Sequence, residues 1–423
     1  MKGFVMTDTI VPHVPVLIIG GGQAGLSVSW YLMKEGIEHI VLERHHRFES
    51  WRNNRWDSFC LVTPNWQCRL PGWPYKGTDP DGFMLKDEIV DYLDSFAESF
   101  QPPLREGVDV RHVSPRDGGG YLIETSEGTM TADQVVIATG GYDNPIVPSY
   151  AGDLDSSIVQ MHSRDYRRPS QLPDGGTLIV GTGQSGVQIM DDFHLEGRPV
   201  HLAVGPAPRS PRKYRGRDAT DWLYDAGTYA VTIDRHPDPV KALTQTNHYM
   251  SGRDGGKEID LRKYALQGVR LYGSVAGASG TMMTFLPDLE KNLDDSDRSY
   301  LSIRKQIDAW IAAQAIEVPE EPPFEKVWRP AQEITEVDLA EAGVTSIIWA
   351  IGFRPDYSWL KVDCLDERGK PLFNRGVTKV PGLYFIGLGW LNTWGSGRFL
   401  GIDEDSRYLS EQIVGHQKNK LAA

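Results

Sequence analysis

An α/β chain of two nucleotide-type units, the second inserted into the first, is predicted by three observations. The first is a glycine turn near the N-terminus, VLIIGGGQAG over residues 16–25, with Gly20, Gly22 and Gly25 in G-x-G-x-x-G spacing. The second is the run IEHIVLE, which ends in Glu43, 23 residues after Gly20. The third is a repeat of the arrangement 161 residues on, where Thr177 to Val180 runs into Gly181, Gly183 and Gly186. A short apolar run reads as a buried parallel strand. The first glycine after it permits a tight bend. The second lets backbone approach a pyrophosphate, and the third lets helix and strand pack closely. Free N–H groups at the helix start then meet phosphate charge. Two Rossmann-like units therefore imply two dinucleotides.

Taken in order, the first strand is followed by a helix over AGLSVSWYLMKEG, closed by Gly36. Glu43 stands where a carboxylate accepts ribose hydroxyls. The next stretch, to about Tyr75, has many Arg, Trp and Pro and little periodicity, so it reads as a long functional loop. Lys86 to Ser99 is an amphipathic helix with Ile89, Tyr92, Leu93 and Phe96 on one face. Val108 to Val113 starts a strand, and a hairpin leads into a buried strand at Gln134 to Ala138, which ends in Ala138-Thr139-Gly140. Prolines in NPIVPSYAG suggest a linker. The second glycine turn opens a helix that ends at Gly197, and PVHLAV is the strand after it.

No acid follows that second strand: 24 residues after Gly181 stands Gly205, and Arg209, Arg212, Lys213, Arg215 and Arg217 come next. Arginines in place of a carboxylate fit a ribose 2′-phosphate, so NADPH is expected here, with Arg209 and Arg212 as phosphate ligands. Further on, helices are expected at 218–224, 239–250 and 297–313, and strands at 269–272, 334–339, 345–350 and 380–390. SIIWAIGFRP repeats the layout of VVIATGGYDNP, and a last helix spans about 406–417. The expected division is 10–152 for the first unit, 153–333 for the inserted one and 334–423 for the return to the first.

The net charge of −13 disfavours nucleic acid and anionic membrane as partners. No apolar run reaches spanning length, and MKGFVMTDTIVPH has neither the charge nor the apolar stretch of a signal peptide. Three cysteines, Cys60, Cys68 and Cys364, form no C-x-x-C pair, which points to a reducing cytoplasm and no metal site. The 12 Trp and 17 Tyr either fill core or, in a few cases, flank a flat cofactor. Exposed aromatics would permit a homodimer.

These motifs resemble the class B flavin-dependent monooxygenases: flavin-containing, YUCCA-like, N-hydroxylating and Baeyer–Villiger enzymes. More closely, ESWRNNRWDSFCLVTPNWQCRLPG, DPDGFM, PRKYRGRD and TWGSGRF resemble a bacterial subgroup of flavin-dependent oxidoreductases associated with nitrilase gene clusters. The linker fingerprint F-x-G-x-x-x-H-x-x-x-Y/W is half present: His162 and Tyr166 match, while Ser156 and Ile158 replace Phe and Gly. The resemblance implies FAD at the first turn, on Gly20, Gly22, Gln23 and Gly25, with Glu43 at its ribose and Arg44 along the adenosine. It also implies flavin contacts from Trp51 and Arg52, an adenine contact from the Val110 backbone, and the Ala138-Thr139-Gly140 turn. NADPH would sit on Gly181, Gly183, Gln184, Ser185 and Gly186.

The resemblance further implies that one atom of O₂ passes, through a C4a-(hydro)peroxyflavin, to a small nitrogen- or sulfur-containing substrate. No protein nucleophile is needed, and none is visible. Asn65, Arg52 and Asn392 are the candidates beside the reacting ring, with Trp390, Trp394 and Arg398 as further lining. Counting back from Leu70-Pro71 places Val62 where animal relatives carry an Asn, three residues before Asn65. Neither Arg52 nor Arg55 matches the Baeyer–Villiger arginine motif, which favours heteroatom oxygenation. The alternatives are an NADPH-dependent flavin reductase without oxygen insertion, a Baeyer–Villiger oxygenase, and a nucleotide sensor that has lost turnover.

Overall fold

The computed structural model describes residues 11–422. The first ten residues, which include the opening of the expected first unit, lie outside the described residues. Two parallel sheets organise the chain. In the first, strand β1 (His13–Ile19) lies between β2 (His39–Glu43) and the strand Gly128–Ile137. Leu104–Glu106 extends one side and Leu383–Phe385 the other, all in parallel register. In the second, Gly176–Val180 lies between Val200–Ala203 and Val344–Trp349, with Arg270–Tyr272 and Val159–His162 outside them. Each sheet therefore has its glycine-turn strand third of five parallel strands, and the two differ at one edge, where Leu383–Phe385 comes last of its five in the chain and Val159–His162 first of its five.

The physical basis is burial on both faces. The residues Val16 to Ile19 are at most 5% exposed, as are Leu178, Ile179 and Val180. Helix α1 (Gln23–Lys34) covers one face of the first sheet with Leu26, Val28 and Leu32, and helix Gln184–Leu195 covers the second with Val187, Ile189, Met190 and Phe193. Such sheets read as continuous apolar runs because neither face meets water.

The return to the first unit comes later than the expected boundary at 334. Val344–Trp349 belongs to the second sheet, where it pairs with both Val159–His162 and Gly176–Val180. Glu336–Asp338 also stays there, in a three-stranded antiparallel sheet with Val275–Ser279 and Met282–Phe285. The two crossovers run side by side, Phe353 opposite Pro145 and Arg354 opposite Asn144. The crossing therefore falls near 352.

Other differences have local causes. The long helix starts at Leu289, not 297, because the Glu333 carboxylate accepts from the N–H groups of Leu289 and Glu290 at 3.1 and 2.9 Å, a cap no local pattern reveals. The helix from Pro239 stops at Thr244. Beyond it the chain crosses the second glycine turn, where Gln188 donates to the Met250 carbonyl at 3.1 Å. Only Leu383–Phe385 of the stretch 380–390 is strand.

Helix Ile402–Ala422 closes the first unit, with Ile402, Leu409 and Ile413 in the core shared with α1. Its first turn buries Asp405, whose Oδ2 has no hydrogen-bond partner among the described residues. Burial pushes that carboxyl up to about 6. In the unfolded chain it titrates near 3.9. Ionisation is thus disfavoured by the fold, and this residue lowers stability as pH rises from about 4 through about 6. Asp405→Asn should stabilise the protein by roughly 2–3 kcal/mol at pH 8 and by far less at pH 4. Thermal unfolding at the two pH values checks this; an equal gain at both would contradict it.

Candidate active site

Both glycine turns are built alike, to within a few tenths of an ångström. Gly20 and Gly181 have φ of +115° and +105°. A Cβ on Gly20 would lie 2.5 Å from the Ala138 carbonyl oxygen, and one on Gly181 2.7 Å from that of Ala350. Gly25 and Gly186 close the turns: a Cβ there would meet the Gly20 or Gly181 carbonyl oxygen at 2.0 or 1.9 Å. The middle glycines differ. Gly22 has nothing within 4 Å of its Cβ direction, and Gly183 has only the Thr246 methyl at 3.6 Å. The space the middle glycine leaves open is a cradle for a phosphate. Neither following helix has a side-chain cap at its N-terminus or an acid in its first turn, so their free N–H groups and positive ends are left for an anion.

Gly20, Gly22, Gln23, Glu43, Arg44, Trp51, Val110, Ala138, Thr139, Gly140, Gly181, Gly183, Gln184 and Ser185 all line one continuous cavity of about 1720 Å³. That exceeds the roughly 300–1,000 Å³ usual for a single small ligand. Gly25 and Gly186 pack behind the turns and do not line it. Glu43 has a second task, as its Oε2 accepts from Gly21 N–H at 2.7 Å and its Oε1 from His45 N–H at 2.9 Å. The carboxylate therefore shapes the turn it faces. Trp51 donates to Gln23 Oε1 at 3.1 Å and stacks on Phe399, 5.4 Å between centroids. Arg44 is held by Asp143 at 2.8 Å.

Seven of the residues singled out in the sequence are placed elsewhere. Arg209 is 2% exposed and sits between Asp260 and Asp297, at 3.2 and 3.1 Å. Arg212, 1% exposed, pairs with Asp218 and donates to the Val62 carbonyl at 2.6 Å. Both are structural cations, because a buried guanidinium needs carboxylates around it. Arg215 and Arg217 pair with Asp308 and Asp225. Arg52 turns to Asp94 on the neighbouring helix. Asn65 is buried, donating to Asp79 O at 2.9 Å and accepting from Met84 N–H at 2.7 Å. Asn392 meets Ile233 through its backbone carbonyl, and its side chain does not line the cavity.

Others come forward instead. Arg55 lies 5.1 Å over the Trp51 ring and 5.5 Å from Phe59, and burial pushes its pKa down. Tyr229, His236, Asn247 and His248 join Trp390, Trp394 and Arg398 in the lining. Burial pushes the His248 imidazole down to about 4, so it is neutral at pH 7. His201, by contrast, bonds Tyr272 OH inside the second unit at 2.8 Å. His162 accepts from Arg164 N–H at 3.0 Å and packs edge-on against Phe353 beside the crossovers. The segment 226–248 has no periodicity to mark it; its Tyr and His residues were the only signal.

The CzcO-like oxidoreductase of Geobacillus kaustophilus is 33% identical over 406 residues, 95% of this chain and 99% of its own. The family model for pyridine nucleotide-disulphide oxidoreductases matches residues 17–220. The chain belongs to the CzcO-like bacterial oxidoreductases. The YUCCA3 protein of Arabidopsis thaliana, a probable indole-3-pyruvate monooxygenase, is 28% identical over 214 residues, 48% of either chain. A flavin-containing monooxygenase from Stenotrophomonas maltophilia shares the fold, with a TM-score of 0.66 at 20% identity over 96% of this chain and 99% of that one. The two open cradles and uncapped helix ends fit the pyrophosphates of FAD and NADPH. No helix among the described residues is long and apolar enough to cross a membrane.

The cradle separates two glycine variants. Gly22→Ala should fold with unchanged apoprotein stability yet lose most bound flavin, since its methyl points into the open cradle. Gly25→Ala should lose about 1–3 kcal/mol of stability or more, because its methyl meets backbone. Flavin content by absorbance and urea unfolding of the apoproteins check both; equal destabilisation would contradict the assignment.

Proposed function

We propose that this protein is an FAD- and NADPH-dependent monooxygenase that places one oxygen atom on a nitrogen or sulfur of a small substrate. The observation that carries the reading is the single cavity shared by both glycine turns, which would let two dinucleotides meet end to end. FAD would lie on Gly20, Gly22 and Gln23 with Glu43 at its ribose, and NADPH on Gly181, Gly183, Gln184 and Ser185. When bound, these groups supply hydride transfer and oxygen activation.

The chain's own part is binding, orientation and dryness. The helix ends hold the phosphates. The Trp51–Phe399 stack and the Ala138-Thr139-Gly140 turn shape the slot between them. Aromatic side chains from 229–236 and 390–394 wall the far end against water. Disulfide reduction finds no support in the thiols: Cys60 and Cys68 are buried, with pKa pushed up to about 11 and about 12, so neither is a ready thiolate. A Baeyer–Villiger reading has one observation in its favour, Arg55 facing the cavity with no carboxylate partner among the described residues.

Anaerobic reduction by NADPH followed by mixing with oxygenated buffer tests the reading. A transient absorbance band that precedes the return of oxidised flavin is expected. Direct return with stoichiometric H₂O₂, with or without any amine, thiol or ketone present, would overturn oxygen transfer. Incorporation of labelled oxygen into an N- or S-oxide rather than an ester would separate heteroatom from carbonyl chemistry.

A further inference from the structure

One part of the cavity, a chamber walled by residues of 229–248 and 390–398, adjoins the second glycine turn, where Thr246 faces Gly183. Backbone joins the two stretches: Ile233 N–H donates to Asn392 O at 2.7 Å, and Thr232 and Thr393 form an antiparallel bridge. The walls are aromatic. Tyr229 stacks on Trp394 with centroids 4.2 Å apart, and His236 meets Trp390 edge-on at 5.2 Å.

Among these rings lies a guanidinium. The Arg398 guanidinium sits 4.2 Å over the Trp394 ring and donates to Asn247 Oδ1 at 2.7 Å and to the Trp394 carbonyl. Arg398 is in none of the ion pairs among the described residues, and burial pushes its pKa down. A guanidinium carries five N–H donors, and the two hydrogen bonds leave donors free. The acid of the chamber, Asp238, is occupied in capping the helix Pro239–Thr244 through Lys241 N–H at 2.9 Å. Lys241 also lines the chamber and is in none of those ion pairs. The chain as a whole carries −13, so a cationic pocket is a local reversal of its field. Every buried arginine of the second unit, by contrast, has its carboxylate: Arg209, Arg212 and Arg262 each pair with Asp.

A half-buried guanidinium that faces a cavity without a carboxylate keeps its free donors for a ligand that supplies the counter-charge. We propose that this chamber is the substrate subsite and takes a planar aromatic anion, its carboxylate on Arg398 and its ring against the Trp390 and Trp394 wall. The proposal rests on the monooxygenase reading for the word substrate, and it sets the class apart from free amines, which the chamber's charge repels. Cofactor phosphate or the flavin ring is the other source of negative charge for Arg398, and the test distinguishes them.

FAD-loaded protein saturated with NADP⁺ is titrated with 2-naphthoate, 2-naphthamide and 2-naphthylmethylamine, followed by flavin difference absorbance and tryptophan fluorescence. Naphthoate is expected to bind about ten- to a hundredfold more tightly than the amide, the scale of a charge-assisted hydrogen bond, and the amine least of all. Arg398→Gln should bring naphthoate and amide to equal affinity with flavin content and spectrum unchanged, and Arg398→Lys should restore part of the difference. Equal affinity of the three probes for the wild type, or preference for the amine, overturns the proposal. So does an Arg398→Gln protein that loses flavin or shifts its spectrum while keeping the naphthoate preference, since Arg398 would then serve the cofactor. The wild-type ranking is a test by itself if the variant does not fold. No turnover is read, so the expected ranking in a protein that transfers no oxygen would leave the subsite standing and fell only the monooxygenase reading.

Discussion

The close approach of backbone to backbone at the two glycine turns is the constraint on which the rest of the structure depends. Gly25 lies so near the Gly20 carbonyl that a methyl would stand 2.0 Å away, and Gly186 repeats this against Gly181. That contact seats each helix directly on its strand and leaves its N-terminal N–H groups facing outward. The first glycine of each turn, in the left-handed region, lies against the end of the neighbouring strand at Ala138 or Ala350. Both cradles therefore stand at the C-terminal edge of a parallel sheet, where ligands of open α/β folds bind. The single cavity follows from placing two such edges face to face.

The arginines of the chain fall into two groups by what neutralises or holds them. Where a guanidinium serves the fold, an aspartate meets it: Arg209 with Asp260 and Asp297, Arg212 with Asp218, Arg262 with Asp294 and Asp297. At two arginines that face the cavity, Arg55 and Arg398, aromatic rings take the place of acids, while Arg44 there pairs with Asp143. A cation held on a ring face keeps its N–H edge available for a ligand. The split also accounts for the failure of the basic run after Gly205 as a phosphate site. Its arginines are ties: Arg209 and Arg215 hold the loop 205–218 to Asp260, Asp297 and Asp308, Arg212 closes the loop on its own Asp218, and Arg217 meets Asp225.

What was legible followed from short-range stereochemistry. The G-x-G-x-x-G spacings, the apolar strands before them and the Glu43 strand end each depend on neighbours within a few residues, so β1, α1, β2 and their counterparts could be read with small errors at the ends. The likeness of SIIWAIGFRP to VVIATGGYDNP was legible for the same reason: both are strands that end beside a glycine turn, at Ala350 and Ala138. The illegible parts depend on partners far away in sequence. Helix Leu289–Gln314 takes its cap from Glu333, Asn65 spends its amide on Asp79 and Met84, and Arg52 spends its charge on Asp94.

By itself, then, the sequence determined two dinucleotide units in nested order and the family they belong to, because glycine spacing and strand burial are local requirements that few other residues satisfy. Only the tertiary structure decided which charged residues are free. Whether an arginine is a tie or a ligand depends on an aspartate that is 6 residues away for Arg212 but 51 or 88 away for Arg209. It likewise decided the far wall of the cavity. Tyr229 and Trp394 are separated by more than a hundred and sixty positions and meet at 4.2 Å because the backbone of 232–233 pairs with that of 392–393.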